Sequence, residues 1–489
     1  MLGFNVKRGC RPARSDVADC LEKWNEACSR IAHLKSAIVC ARIQRIESIT
    51  MKNHVRIKLR RPVAALEDLP HWQQLLGDRR LERERFLPDV DRIFHQHRLS
   101  FFATREYQPA GTNWSEEEVA SGLNRVYRLI LTRDGDIPPD LISAIRLLPE
   151  VEDAAPGDIG QMELNPRSAA MSARTDRGSR EAIFLEEAQA FSQGDSDIVV
   201  AVLDTGVELD HPELRHAIRG GYDFVNILDG ASEFIGDYID ADAIADDEVG
   251  HGTHVAGIIV GKGQGMPGGV APRCKLIPVR VLAAMEKQGR RVGAGLIENI
   301  NAGVKYAVDQ GAHVINMSLG VRHEGGGLPH QEVIDYAYRK GVTIVAASGN
   351  DGLQEMYYPG AFETVIAVGA MDAQGQVADF STYGDQVSFI APGVDVYSAY
   401  LDNEYAFSTG TSHAAPFITG AVALLKSYAR KAGRTLSDGQ IKHILKHTSD
   451  KIDNRFKHRK AGYGRLNLAD AMRYLEFKLG QRRERYGYH

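Results

Sequence analysis

Apolar residues recur along this chain with different periods in different stretches. Between residues 15 and 50, Leu21, Trp24, Cys28, Ile31, Leu34 and Ile38 fall three or four apart, with no Gly or Pro among them. That spacing predicts a helix begun by Ser15 or Asp16. Residues 51–160 predict a small α+β unit, with strands at His54–Leu59, Val126–Thr132 and Val151–Ala154. A charged middle separates the first two strands, and a helix at Pro139–Leu148 separates the last two. Residues 157–180 are small and polar without a period, which predicts an exposed linker of the kind that proteases nick.

From Ala182 short apolar runs alternate with helical stretches. The runs are Ile198–Leu203, Lys275–Leu282, His313–Leu319, Val342–Ala347, Thr364–Val368 and Val387–Ile390. The helices fall near His251–Val260, Leu296–Gln310, Glu332–Lys340 and Ser412–Ala429. Fully apolar strands between helices predict a parallel sheet covered on both faces, with chemistry at the carboxyl ends of its strands. The expected division is a helical extension at 1–50, an α+β domain at 51–160, a linker at 161–181, an alternating α/β domain at 182–475 and a basic tail at 476–489.

Composition changes this picture little: 489 residues, 43% hydrophobic and 25% charged, describe an ordinary globular chain. No run of 18 apolar residues occurs, so no membrane span is expected. The first residues lack the apolar core of a secretory signal, which points to the cytosol. The five cysteines (Cys10, Cys20, Cys28, Cys40 and Cys274) have neither zinc spacing nor an even count, so reduced thiols are expected. Charge is uneven. Residues 1–61 hold fourteen Lys/Arg against five Asp/Glu, and the remainder carries −14 of the net −5. A basic arm beside an acidic body suits intramolecular docking at least as well as nucleic acid, and no nucleic-acid partner is expected.

Three segments carry chemistry: Val200–Gly206 (VAVLDTG), Gly250–Gly257 (GHGTHVAG) and Ser408–Pro416 (STGTSHAAP). Singly, each has a bland reading. An aspartic protease would need a second D-T-G or D-S-G carboxylate, and the chain has none. His251 and His254 lack the glutamate and the spacing of a zincin. Ser412 alone is a helix cap. Together they supply a nucleophile, an imidazole and an orienting carboxylate in the order Asp, His, Ser.

In that order and in all three blocks, residues 182–475 resemble the catalytic domain of subtilisin-like serine proteases, the subtilases. The resemblance implies a subtilisin-like α/β fold: a parallel sheet flanked by helices, preceded by a small α+β prodomain-like domain and the N-terminal helical extension. It implies a serine endopeptidase with Ser412 as nucleophile, His251 as base and Asp204 as its orienting partner, acting on protein or peptide substrates. His254 would be structural. Asn350 matches the oxyanion-hole asparagine. Ser318, Leu319 and Gly320 match the edge that pairs with extended substrate. Tyr357 stands at the floor of the pocket for the residue before the cut, where some relatives carry glycine, and would make it shallow for large aromatic residues.

Two departures stand out. The loop Lys262–Gly269 lacks the asparagine with which many subtilases bind calcium, although Glu213 stands where one acidic ligand would be. No cofactor is therefore required, calcium stays open but disfavoured there, and no metal ligands are assigned. The segment Asp229–Glu248 holds eight acidic residues, expected to form a solvated loop. Arg125–Ala154 is similar to the second half of a subtilase propeptide, which implies an intramolecular inhibitor and a zymogen. The alternative is a regulated sensor whose protease domain stays silent until a partner engages the N-terminal region.

Overall fold

A computed structural model describes residues 54–486, apart from residues 78, 134–135, 158, 163–165, 169–176, 226–233, 238–240, 288–289 and 323–327. The helix expected at 15–50 and the four cysteines before residue 41 lie outside the described residues. Cys274 is a buried free thiol.

Residues 54–156 build an antiparallel sheet from β1 (His54–Leu59), β2 (Phe101–Arg105), β3 (Val126–Leu131) and β4 (Val151–Pro156), in the order β2-β3-β1-β4. Helices α1 (Pro88–Gln96) and α3 (Pro139–Arg146) pack on one face, and Val90, Ile93, Phe94, Leu141 and Ile145 meet Val55, Ile57 and Leu129. Each of these helices starts with proline in its first turn, where the missing N–H costs nothing. Between them α2 (Glu116–Ser121) is started by a capping box of Ser115 and Glu118.

Residues 159–162 and 166–168 overturn the exposed-linker expectation. They form β5 (Ile159–Met162) and β6 (Pro166–Ser168), and each pairs with a strand of the following domain. Ser179 and Arg180, in a short helix at Arg177–Glu181, are buried.

The large domain is a seven-stranded sheet whose members all run parallel. It comprises β7 (Val199–Asp204), β8 (Tyr222–Asp223), β10 (Lys275–Arg280), β13 (Val314–Met317), β15 (Thr343–Ala347), β17 (Ile366–Met371) and β18 (Val387–Pro392). The smaller strands are β9 (Phe234–Ile235), β11 (Ala283–Lys287), β12 (Arg290–Leu296), β14 (Val321–Arg322), β16 (Tyr357–Tyr358), β19 (Val396–Ala399) and β20 (Tyr405–Ser408). Burial follows the period of two in β7. Val200 and Val202 join the layer that contains α4 (His251–Val260) and α7 (Thr411–Lys431). Val199, Ala201 and Leu203 join the layer that contains α5 (Ile297–Asp309) and α6 (Gln331–Arg339). Both faces are covered, as uninterrupted apolar strands require.

In the order β18-β17-β15-β13-β7-β10-β8 the chain lays β8 and β10 on one side of β7 and then crosses to the other, where β13, β15, β17 and β18 follow outward in turn. Crevices open where such an order reverses, at the carboxyl ends of the strands. Asp204 ends β7, and Ser318 follows β13 there. At the far end of the chain, α8 (Asp438–Thr448) packs against α9 (Leu468–Tyr486). The basic tail expected from 476 is corrected accordingly: α9 runs through that boundary to Tyr486, because Leu475 and Leu479 still pack on the core.

Candidate active site

Three local structures bring the site together. Asp204 closes a central strand and is buried. His251 is the first residue of α4, and two glycines beside it permit its placement. Gly250 takes φ +94°, and a Cβ there would lie 2.3 Å from the Tyr400 ring. A Cβ on Gly252 would sit 2.0 Å from the Gly206 carbonyl, so only glycine lets the helix start lie against the Asp-Thr-Gly turn. Ser412 is the second residue of α7, near the positive end of a long helix.

His251 Nδ1 lies 2.6 Å from Asp204 Oδ1, and both side chains are fully buried. The same carboxylate oxygen accepts the Thr205 N–H at 2.8 Å. With Nδ1 donating, the lone pair on His251 Nε2 is left to accept a proton, and that atom has no hydrogen-bond partner among the described residues. The Ser412 hydroxyl donates to the Ser318 carbonyl at 3.1 Å. Asn350 is oriented by Thr411, whose N–H and hydroxyl both donate to Asn350 Oδ1 at 2.9 Å. That leaves the Asn350 amide NH2 as the end available to a ligand.

These groups border a cleft of about 390 Å³ lined by Ser318, Leu319, Gly320, Gly349, Asn350, Asp351, Tyr357, Phe380 and Thr409–Ser412. The Tyr357 ring lies between two edge glycines. A Cβ on Gly349 would be 2.7 Å from its Cδ2, and one on Gly320 would be 3.2 Å from its Cβ. The Tyr357 hydroxyl donates to Asp351 and accepts from Arg322 Nε at 2.8 Å, while Arg322 also pairs with Asp351. Burial would raise the Asp351 carboxyl, but the Tyr357 hydroxyl and Arg322 outweigh it and hold it down.

The profile of the subtilase family matches residues 195–464. The chain belongs to the subtilase family. As a subtilase it is a serine endopeptidase, and its substrates are peptides. It is 38% identical to a thermophilic serine proteinase of Bacillus sp. (strain AK1) over 285 residues, which cover 58% of this chain and 63% of that protein. Thermitase of Thermoactinomyces vulgaris is 36% identical over 277 residues, 56% of this chain and 88% of its own length. The major intracellular serine protease of Bacillus subtilis (strain 168) is 38% identical over 252 residues, 50% and 73% of the two chains. A solved structure, that of the prenylagaramide maturation protease PagA, is 30% identical, with a TM-score of 0.49 over 60% of this chain and 98% of that one. Among the described residues no helix is long and apolar enough to cross a membrane.

Several residues around this subtilase site escaped the sequence reading. Asp247 lies in the acidic segment expected to be solvated, yet it is buried. It accepts from the N–H groups of Val249, Gly250 and Thr253 and from the hydroxyls of Thr205 and Thr253, all at 2.7–2.9 Å. Asp247 therefore ties the Asp204 turn to the start of α4. His413 follows the serine, and its ring lies 5.3 Å from that of His251 and 4.5 Å from that of His254. Its Nε2 is 2.6 Å from Ser408 Oγ. His254 Nε2 donates to the carbonyls of Val396 and Ala406, which is a structural arrangement. Burial, aided by the nearby His251, lowers its pKa to about 3. Thr411 and His413 had a visible signal, their places on either side of the serine. Asp247 becomes meaningful only through contacts distant in sequence.

Proposed function

We propose that this subtilase cuts peptide bonds through an acyl-enzyme on Ser412 and that the intact chain is its own zymogen. The observation that carries the catalytic part is the buried 2.6 Å contact of His251 with Asp204, taken with a cleft that Ser412 and Asn350 line. Ser412 Oγ attacks the carbonyl carbon while its proton moves to His251 Nε2, and Asp204 steadies the imidazolium. The oxyanion takes a hydrogen bond from the Asn350 amide. The C–N bond then breaks, His251 hands its proton to the leaving amine, and water repeats the sequence on the ester. Tyr357, braced by Arg322 and Asp351, shortens the pocket, so smaller side chains are preferred over large aromatic ones before the cut.

Support for the zymogen comes from two strands of the chain itself. β5 runs antiparallel to β12, with Met162 opposite Gly293 and Gly160 opposite Gly295. β6 runs antiparallel to β20, with Pro166 opposite Ser408, four residues before Ser412. Edge pairing of this kind is how an extended peptide is held for cutting. The bonds between Met162 and Pro166 join the two strands, so self-cleavage falls among them.

The test is intact mass of wild type beside Ser412→Ala. Wild type alone should be shortened, with a new N-terminus at residue 163, 164, 165 or 166. Equal masses would remove the zymogen reading. A fluorophosphonate probe then decides the nucleophile, since it should label wild type and spare Ser412→Ala.

A further inference from the structure

The family resemblance implies a calcium ion at the loop that follows α4, and the residues there do not fit one. Glu213 is completely buried. Its Oε2 accepts the Gly263 N–H at 2.6 Å, and its Oε1 accepts the N–H groups of Gln264 and Gly265 at 2.7 and 2.6 Å. The Tyr405 hydroxyl adds a longer contact to Oε1 at 3.4 Å. The strand of loop thus turns three successive N–H dipoles, the positive ends of its peptides, toward one point. Calcium needs the opposite, a shell of six to eight oxygens. Successive N–H groups converging in this way make an anion cradle, and here the anion is a side chain of the protein.

We propose that the Glu213 carboxylate, clamped by the amides of Gly263, Gln264 and Gly265, holds this loop in place of a metal ion. The energetics favour that exchange. Charge-assisted hydrogen bonds at these short distances are roughly twice as strong as neutral ones. They also offset the cost of burying the carboxylate, which has no ion-pair partner among the described residues. The loop base is closed separately by the Gly269 N–H on the Gly261 carbonyl at 2.8 Å. Gly263 takes φ +85°, and a Cβ on Gly265 would lie 2.1 Å from the Tyr405 hydroxyl, so both glycines serve the cradle. The clamp anchors the C-terminal end of the helix that begins with His251. Its effect is thus on the order of that helix and lies outside the chemistry.

The experiment uses the full chain carrying Ser412→Ala, so that self-digestion does not confuse the readouts. Melting temperature and amide exchange at residues 263–265 are followed with EGTA and with millimolar calcium. Chelation should move the melting temperature by no more than about 1 °C and leave those amides protected. Glu213→Gln in the same background keeps the size but turns an NH2 group toward the amides. It should lower the melting temperature by about 3–6 °C and speed exchange at 263–265 at least about tenfold. Faster exchange of those three amides in EGTA, reversed by calcium, would overturn the proposal. So would unchanged exchange in Glu213→Gln. Should Glu213→Gln fail to fold, the chelation arm decides alone, because it needs no variant. A calcium effect confined to other amides would place a metal elsewhere and leave this loop metal-independent, as proposed.

Discussion

The interior of the parallel sheet and the seam that joins residues 54–156 to it are held by different forces. Where the sheet meets its covering helices, Val200, Val202 and Ile366 of the strands and Phe417 and Ile418 of α7 are all buried in one apolar cluster. Along the seam, charged side chains cross from one domain to the other. Arg56 pairs with Glu332, the Tyr107 hydroxyl donates to Glu332 at 3.1 Å, Lys305 lies 2.9 Å from Glu118, and His54 lies 3.4 Å from Glu298. A strip of Tyr107, Leu123 and Val126, with the partly buried Trp114 against it, continues the apolar layer across. Apolar burial scales with area and is indifferent to protonation. Buried ion pairs depend on both partners keeping their charge, and their net contribution is small until one partner is lost. The sheet is thus built to persist, and the seam is built so that it can be opened.

The largest way to break this contrast is inside the sheet. Phe417→Ala empties a fully buried site and should cost about 3–5 kcal/mol in denaturant unfolding of the whole chain. A much smaller loss would mean that the apolar layer is not the main support.

Acid comes next, and it works against both regions with the same sign. Burial holds His254 in the sheet and His330 at the seam at about 3. Burial together with Arg128 does the same for His71. Their folded pKa values are depressed, so the unfolded chain binds more protons. The stability they hold is complete above about 6.5 and is lost as pH falls toward 3. Burial alone would raise Glu298, but His54 and Arg128 outweigh it and hold it at about 2. It adds a seam-specific loss as pH falls from about 4.5 to 2. Melting temperature should therefore decline below pH 6.5, and a flat profile between pH 7 and 5 would contradict the neutral burial of these histidines.

A narrower test is Arg56→Met, which leaves the buried Glu332 with Tyr107 as its remaining partner at the seam. It should cost about 2–3 kcal/mol and speed amide exchange in β1 and β4 while β13 and β15 stay protected. Equal loosening in both sets would erase the distinction between the regions. The smallest effect is expected at the exposed pair of Arg430 and Asp197, 3.3 Å apart. Arg430→Ala should change stability by no more than about 0.5 kcal/mol.

What the sequence revealed follows the same division. The strands and helices were legible to within about three residues, with matching bounds at His54–Leu59 and His251–Val260. The eight site residues named from the motifs fall either along one cleft or in the buried pair behind it. Segments whose order comes from a partner were not legible. β5 and β6 have no hydrophobic period and are strands only because β12 and β20 offer them free edges. β2 was hidden in a charged stretch for the same reason. Asp247 looks like a surface acid, and Glu213 like one ligand of an incomplete calcium site, until the loops that donate to them are brought near.

The arrangement of β5 and β6 also bears on reaction order. Both strands belong to the chain that carries Ser412, and only residues 163–165 lie between them. Under the self-cleavage proposed above, the bond to be cut is presented at an effective concentration set by tethering, which dilution does not alter. Self-cleavage becomes a first-order event whose half-time is the same in a crowded solution and a dilute one. Every chain carries one such junction between the two strands, so the first cut would work as an internal clock, and only later turnovers would count molecules.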